Sequence, residues 1–281
     1  MSPERIAAAF VSACLAELEA LKPGNVHRFA EGHGLRVADF AASARAAAPA
    51  LARSGARLGR RILDAVAATR KAVGTNTNLG ILLLCTPLAV AAERPDPLPE
   101  AVVAVLAATG PEDARDLYAA IRLAAPGGLG RVAEADVAEE PTVSLREAMR
   151  LAEERDRIAW NWTHGFADLF ATGVPLLDEL EARGWSEAWA LSGLHLHFLA
   201  RIPDSHVARK FGAGAARALA AEAAPFARRL LAAARPETLA GELLLFDAAL
   251  KARGINPGTT ADLVVASLFA RRLLRLAADE K

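Results

Sequence analysis

Residues 22–28 read Lys22-Pro-Gly-Asn-Val-His-Arg28, crowding two cations, an amide and an imidazole around a helix-stopping Pro-Gly pair. Lys22, Asn25, His27 and Arg28 are donors of the kind that grip phosphate oxygens. The plainer use of such a run is to complement the negative end of the preceding helix. Three more polar interruptions break an otherwise apolar chain. Gly74-Thr-Asn-Thr-Asn-Leu-Gly80 opens the most apolar segment, so Asn76, Thr77 and Asn78 would stand at a helix N-terminus, where free amides and polar side chains receive anions. A single cap would suffice there, and the surplus polar groups carry a desolvation cost that a ligand would offset. In Arg201-Ile-Pro-Asp-Ser-His-Val-Ala-Arg-Lys210, helical spacing puts Ser205, Arg209 and Lys210 roughly on one side, complementing a di- or triphosphate. Asp204 or Ser205 could simply cap that helix, leaving a solvated basic face. Finally, Asn256-Pro-Gly-Thr-Thr-Ala-Asp262 offers Thr259 and Thr260 to phosphate and Asp262 to Mg²⁺, the alternative being an N-cap with an acidic first turn.

The elements that must hold these segments are helices. Alternating runs of β-branched and aromatic residues are nearly absent, whereas helix-forming residues recur with helical periodicity from end to end. The pattern predicts an all-α fold, a single domain over 1–281 built as a bundle of about 12 helices. Expected spans are 3–21, 37–54, 57–72, 77–92, 98–108, 111–124, 144–170, 174–183, 186–200, 205–221, 224–234, 236–252 and 260–278. Ser2-Pro3, Gly110-Pro111 and Ala224-Pro225 mark helix starts, and Ser144-Leu-Arg-Glu147 has the form of a capping box. Pro126 to Thr142, opening Pro126-Gly-Gly-Leu-Gly130, is the longest irregular stretch and reads as a functional loop or lid.

Composition narrows the partners. Thirty-three basic residues balance thirty-three acidic ones, and aromatics make up only 5% of the chain, which argues against a nucleic-acid surface. Small molecules are the expected partners, and homo-oligomerisation stays open. Cys14 and Cys85 lie in apolar helical patterns without metal or redox spacing, as suits a reducing cytoplasm. No apolar run reaches the roughly 20 residues that span a bilayer, and a cytoplasmic protein is expected. His195 and His197, two apart on a helix, make a poor zinc pair; His33 and His164 read as ordinary polar residues, and the tryptophans Trp160, Trp162, Trp185 and Trp189 as core. Gly212-Ala-Gly214 is no dinucleotide fingerprint, and no GxxxxGK[ST], GxSxG or HExxH occurs.

Taken in order, Glu17-x-x-x-x-Lys22-Pro-Gly-Asn-Val-His-Arg28, Asp39-Phe40-x-x-Ser43, Asn76-Thr-Asn-Leu-Gly80, Pro203-Asp-Ser-x-x-Ala-Arg-Lys210, Asp247-x-x-Leu250 and Asn256-Pro-Gly-Thr-Thr-Ala-Asp-Leu263 resemble the triphosphoribosyl-dephospho-CoA synthase family. The resemblance covers almost the whole chain. It implies an all-helical pentosyltransferase that displaces adenine from ATP and attaches the triphosphoribosyl unit to the ribose 2′-hydroxyl of dephospho-CoA. On that reading Lys22, Asn25, Arg28, Ser43, Asn76, Thr77, Asn78, Ser205, Arg209, Lys210, Thr259 and Thr260 contact substrate or phosphate. Asp262, with Asp204 or Asp39, holds Mg²⁺, and Glu17 or His27 is the base. Two motifs depart from the best-known branch. His27 stands where that branch has aspartate, and Asn78 and Leu79 replace the His and Lys of its NTHKG. These forms resemble a divergent branch associated with methanopterin-type cofactors, whose ribosyl phosphate is attached to a ribitol hydroxyl. The implied donor is therefore ATP or a phosphoribosyl compound. A metal-dependent N-glycoside or phosphate hydrolase and a non-enzymatic nucleotide-binding module are the rival readings.

Overall fold

The computed structural model describes residues 1–125 and 139–279, and these contain fourteen α-helices and no strand. In chain order they are α1 (Pro3–Glu19), α2 (Val37–Leu51), α3 (Leu58–Val73), α4 (Leu79–Ala91), α5 (Leu98–Ala107), α6 (Pro111–Ala124) and α7 (Leu145–Ala152). There follow α8 (Arg157–Thr163), α9 (Val174–Ala182), α10 (Glu187–Arg201), α11 (Ser205–Phe211), α12 (Ala213–Ala232), α13 (Ala240–Ala252) and α14 (Gly258–Ala278). A π-helical turn (Asp168–Gly173) leads into α9 and a 3₁₀ turn (Pro236–Leu239) into α13.

Burial explains the arrangement. Every residue of α4 from Ile81 to Ala89 is buried. A helix that is apolar all round has no face to offer water and must run through the centre. Its partner is α14, where Leu263 to Ala270 are likewise buried, and α1 closes the other side through an edge-to-face contact of Phe10 on Phe269 with ring centroids 5.8 Å apart. Truncating a wholly buried leucine here, such as Leu84, would cost about 2–5 kcal/mol. The helices α2, α3 and α6 pack beside this centre, and α10 with α12 complete the opposite flank. Cys14 and Cys85 are buried within the same core, and burial pushes both thiols up. Trp162 and Trp185 are core residues; Trp160 and Trp189 are half-buried, the former stacked between-neighbour fashion with Arg157 and His164. No helix among the described residues is long and apolar enough to cross a membrane.

Several expected boundaries are corrected. The span 144–170 is broken: Asp156 caps α8 by accepting from the Ile158 and Ala159 amides, and Gly165 and Phe166 adopt positive φ before the π turn. Pro225 does not begin a helix but sits inside α12, and the break falls at Gly212, whose φ of 89° suits glycine. Ser144 accepts the Glu147 amide as expected, yet the Glu147 carboxylate turns to Arg150 instead of back to the cap, so the box is half made. Ser2 caps α1 and Gly110 precedes Pro111 at the start of α6, as expected. The Pro126–Gly130 lid expectation lies outside the described residues.

Candidate functional site

The chain's central helices begin at one place. The first turns of α4 and α14, the starts of α8 and α11, and the Lys22–Arg28 loop surround a cavity of about 380 Å³. Glu17, Asn25, Asn76, Thr77, Asn78, Arg209 and Asp262 line it, together with Arg70, Asp156, His206 and Asn256. Helix N-termini carry partial positive charge and unbonded amides, so this is a place for an anion. Asp262 stands just past the first turn of α14 with its carboxylate against Gly80 of α4, where any Cβ would overlap Oδ2. It accepts no hydrogen bond among the described residues and is half-open to the cavity. Burial, then repulsion from Asp204 and Glu17, pushes this carboxyl well above the usual carboxylate range.

Behind the cavity floor the loop folds back on itself. Lys22 forms a buried ion pair with Glu17 and also donates to Asn25 Oδ1 at 3.0 Å. Asn25 passes the chain of contacts on, donating through Nδ2 to Asn256 Oδ1 at 2.8 Å. Burial pushes Glu17 up and Lys22 down, each opposed by the partner's charge, so the pair is drawn toward sharing a proton. Gly24, at φ 84°, packs so closely on the Pro257 turn that a Cβ would come within 2.8 Å of Pro257 Cδ. Asp247 of α13 anchors the loop by accepting the Gly24 amide at 2.8 Å and Lys251 Nζ at 2.9 Å. His27 lies in this buried layer, 3.4 Å from Asp247, with both ring nitrogens unbonded and burial lowering its pKa. His195 contacts the Pro23 carbonyl at 3.3 Å, and burial pulls its pKa down to about 3.

The lead-in to α4 divides its polar groups between scaffold and cavity. Asn76 accepts the Leu79 amide at 3.1 Å, and Thr77 donates to Ser43, which in turn donates to the Asp39 carbonyl. Asn78 remains: its side chain is 95% buried, lines the cavity, and its Nδ2 has no partner. An unbonded buried amide is costly and points to a missing acceptor. Arg209 donates to Asp156 at 2.6 Å while its Nε is buried and unpaired.

The expected site residues therefore separate into two sets. Glu17, Asn25, Asn76, Thr77, Asn78, Arg209 and Asp262 meet at the cavity. Lys22 and Ser43 stand one layer behind, bonded to residues that line it. The others lie apart from its lining. Ser205 accepts the Arg157 amide, and Asp204 caps α11 through Val207 and receives both the amide and hydroxyl of Thr260. Thr259 is buried, and Asp39 accepts the Arg36 amide at the start of α2. Arg28 pairs with Glu19 at the surface, and exposed Lys210 lies over Phe211. Sequence reasoning missed Asp156, Arg70, His206 and Asn256. The Asp156-Arg-Ile pattern was a legible N-cap, hidden by reading one continuous helix through it. Among the described residues, no cluster of three or more His, Cys, Asp or Glu could hold a metal by itself. Asp156 and Asp262, two of the three cavity carboxylates, have the chemistry for Mg²⁺, which commonly takes one or two carboxylates and completes its shell with phosphate and water.

The sequence model of the family described as CitG: ATP:dephospho-CoA triphosphoribosyl transferase matches residues 3–281. A crystal structure from Archaeoglobus fulgidus, described as a candidate triphosphoribosyl-dephospho-CoA synthase, superposes with a TM-score of 0.65 at 27% identity, covering 83% of this chain and 98% of the other. The search of curated proteins finds no match.

Proposed function

Because this chain belongs to the ATP:dephospho-CoA triphosphoribosyl transferase family, a family of pentosyltransferases, we propose that its cavity transfers the triphosphoribosyl unit of ATP to the ribose 2′-hydroxyl of dephospho-CoA. The observation that carries the reading is the convergence of Asn78, Arg209 and Asp262, brought by α4, α11 and α14, on one cavity. Asn78 Nδ2 and Arg209 Nε are unused donors for phosphate oxygens, reinforced by the α4 and α14 N-termini. Mg²⁺ on Asp262, with Asp156 as the second cavity carboxylate, would neutralise phosphate charge and orient the donor. Asp204 is less suited, since it does not line the cavity and its oxygens are turned to Val207 and Thr260.

The reaction is a displacement at the ribosyl anomeric carbon through a transition state with oxocarbenium character. The C1′–N9 bond breaks, adenine leaves with its electrons and takes up a proton, and the acceptor oxygen bonds to C1′. Glu17 is the base we assign to the acceptor hydroxyl. It lines the cavity, whereas His27 does not, and its raised pKa brings it toward the range where a general base works best. Lys22 holds its carboxylate in place.

Incubation with Mg²⁺, ATP and dephospho-CoA tests the reading, with free adenine followed by chromatography and the adduct by mass. Release of adenine with a triphosphoribosyl adduct is expected; neither product would overturn it. Adenine or ribosyl phosphate without an adduct would instead identify a hydrolase. A second acceptor, the ribitol hydroxyl of a methanopterin-type precursor with a phosphoribosyl donor, is favoured by one observation. Asn78 and Leu79, where the chain departs from the best-known branch, both line the cavity, while His27 does not.

A further inference from the structure

The charges around the cavity are not evenly matched. Glu17 is paired with Lys22, and Asp156 with Arg209. Two groups are left over. Asp262 has no cationic partner in hydrogen-bond contact, and the side chain of Arg70, in the last turn of α3, makes no hydrogen bond or ion pair among the described residues. These two do not neutralise each other. The charges acting most strongly on Asp262 are those of Asp204, Glu17, Arg209 and Asp156, with Arg70 not among them. They also come from different parts of the fold: α3 packs on α2, α4 and α6, whereas Asp262 belongs to α14, which packs on α1, α4, α10 and α11. The lining also includes Thr75 and, at the end of α6, Ile121, Ala124 and Ala125, none of them charged.

A cavity that keeps an unmatched cation on one wall and an unmatched carboxylate on another is complementary to a ligand carrying the opposite charges in that order. A magnesium polyphosphate has this form, its metal-bearing part facing the carboxylate and its terminal phosphate reaching the cation. We infer that Arg70 is the residue that reads the distal phosphate of the donor, so that the cavity selects a nucleoside triphosphate over shorter phosphates. This rests on the donor reading of the same cavity given above. Arginine suits the task because its planar fork can engage two phosphate oxygens at once.

The test is titration of intact protein with ATP, ADP and AMP, each with Mg²⁺, by calorimetry, using wild type, Arg70→Gln and Arg70→Lys. Arg70 is partly exposed at a helix end, so neither variant should disturb folding, and circular dichroism checks this. Wild type is expected to bind ATP more tightly than ADP. Arg70→Gln should erase about ten- to hundredfold of ATP affinity, the loss of one charge-assisted contact, while ADP and AMP affinities stay unchanged. Arg70→Lys should restore part of the preference. If Arg70→Gln weakens all three nucleotides equally, or leaves the ATP-to-ADP ratio intact, the assignment of Arg70 is overturned while the donor reading stands. A wild-type protein that binds no magnesium nucleotide would instead overturn the donor reading itself, and the inference with it.

Discussion

The carboxylate of Asp262 occupies the space that a side chain at Gly80 would fill, so α14 and the first turn of α4 interlock through a residue that has none. The overlap would fall on the end of an aspartate side chain, not on backbone, and a larger residue at position 80 would therefore turn Asp262 aside more than it would part the helices. Gly80→Ala should leave stability near wild type, since alanine favours the helix by roughly 0.5–1 kcal/mol over glycine. Turnover should nonetheless fall by about a hundredfold, the scale expected when a reacting group is displaced by an ångström. Steady-state adenine release alongside thermal melting separates the two effects; wild-type turnover in the variant would show that Asp262 needs no such placement.

Asp262 itself should be a stability liability in the empty enzyme. Burial raises its pKa, so the unfolded chain gives up this proton at a lower pH than the folded one, and stability falls as pH rises above the ordinary carboxylate range. Asp262→Asn removes that penalty. Without divalent cation the variant should melt at or above wild type at pH 7–8, the advantage disappearing in acid below the usual aspartate pKa of about 4, and it should be inactive. A loss of helical signal together with activity would mark Asp262 as structural instead.

The Glu17–Lys22 pair gives a prediction about additivity. Lys22→Met leaves Glu17 buried without its partner, and breaking such a pair by removing one member costs about 3–5 kcal/mol. Glu17→Gln together with Lys22→Met should recover much of that loss. Denaturant unfolding of the four proteins of the cycle would reveal it, and simple additivity would mean the two residues do not depend on each other.

Gly24 is the counterpart of Gly80. Its φ of 84° disfavours a side chain, and the neighbour a Cβ would meet is the rigid ring of Pro257. Gly24→Ala should cost about 1–3 kcal/mol from backbone strain, with further loss from the collision, lowering the melting temperature and not merely the rate. A stable variant would show that the two Pro-Gly turns can separate.

His195 is held neutral by burial, with a folded pKa of about 3, while the unfolded chain binds its proton near pH 6.5. The unfolded state thus binds more protons below pH 6.5, and stability contributed by this residue is lost as pH falls from there toward 3. His195→Gln should melt with a flatter dependence between pH 7 and 5 than wild type. An unchanged slope would place the acid sensitivity elsewhere.

Much of this was legible in residue order. The absence of two-residue alternation and the recurrence of helical periodicity determined an all-α chain, because those patterns record which faces of each element can be buried. The polar interruptions before Leu79 and around Asn256–Asp262 announced where the cavity would form, since polar groups leading into a buried helix need a partner. What only the tertiary structure decided is which member of each cluster faces the ligand. Asn78 and Asn76 are two residues apart, yet one is a cap for Leu79 and the other an unbonded donor. His27 and Asn25 share a loop, but its folding against Asp247 and Pro257 buries the first and brings the second to the cavity. Asp156, Asp262 and Arg70 meet around one space only because α3, α8 and α14 are packed about α4. Local pattern records propensity and burial along one element, whereas the direction of a side chain, and the charge it finds opposite, depend on contacts between residues far apart in the chain.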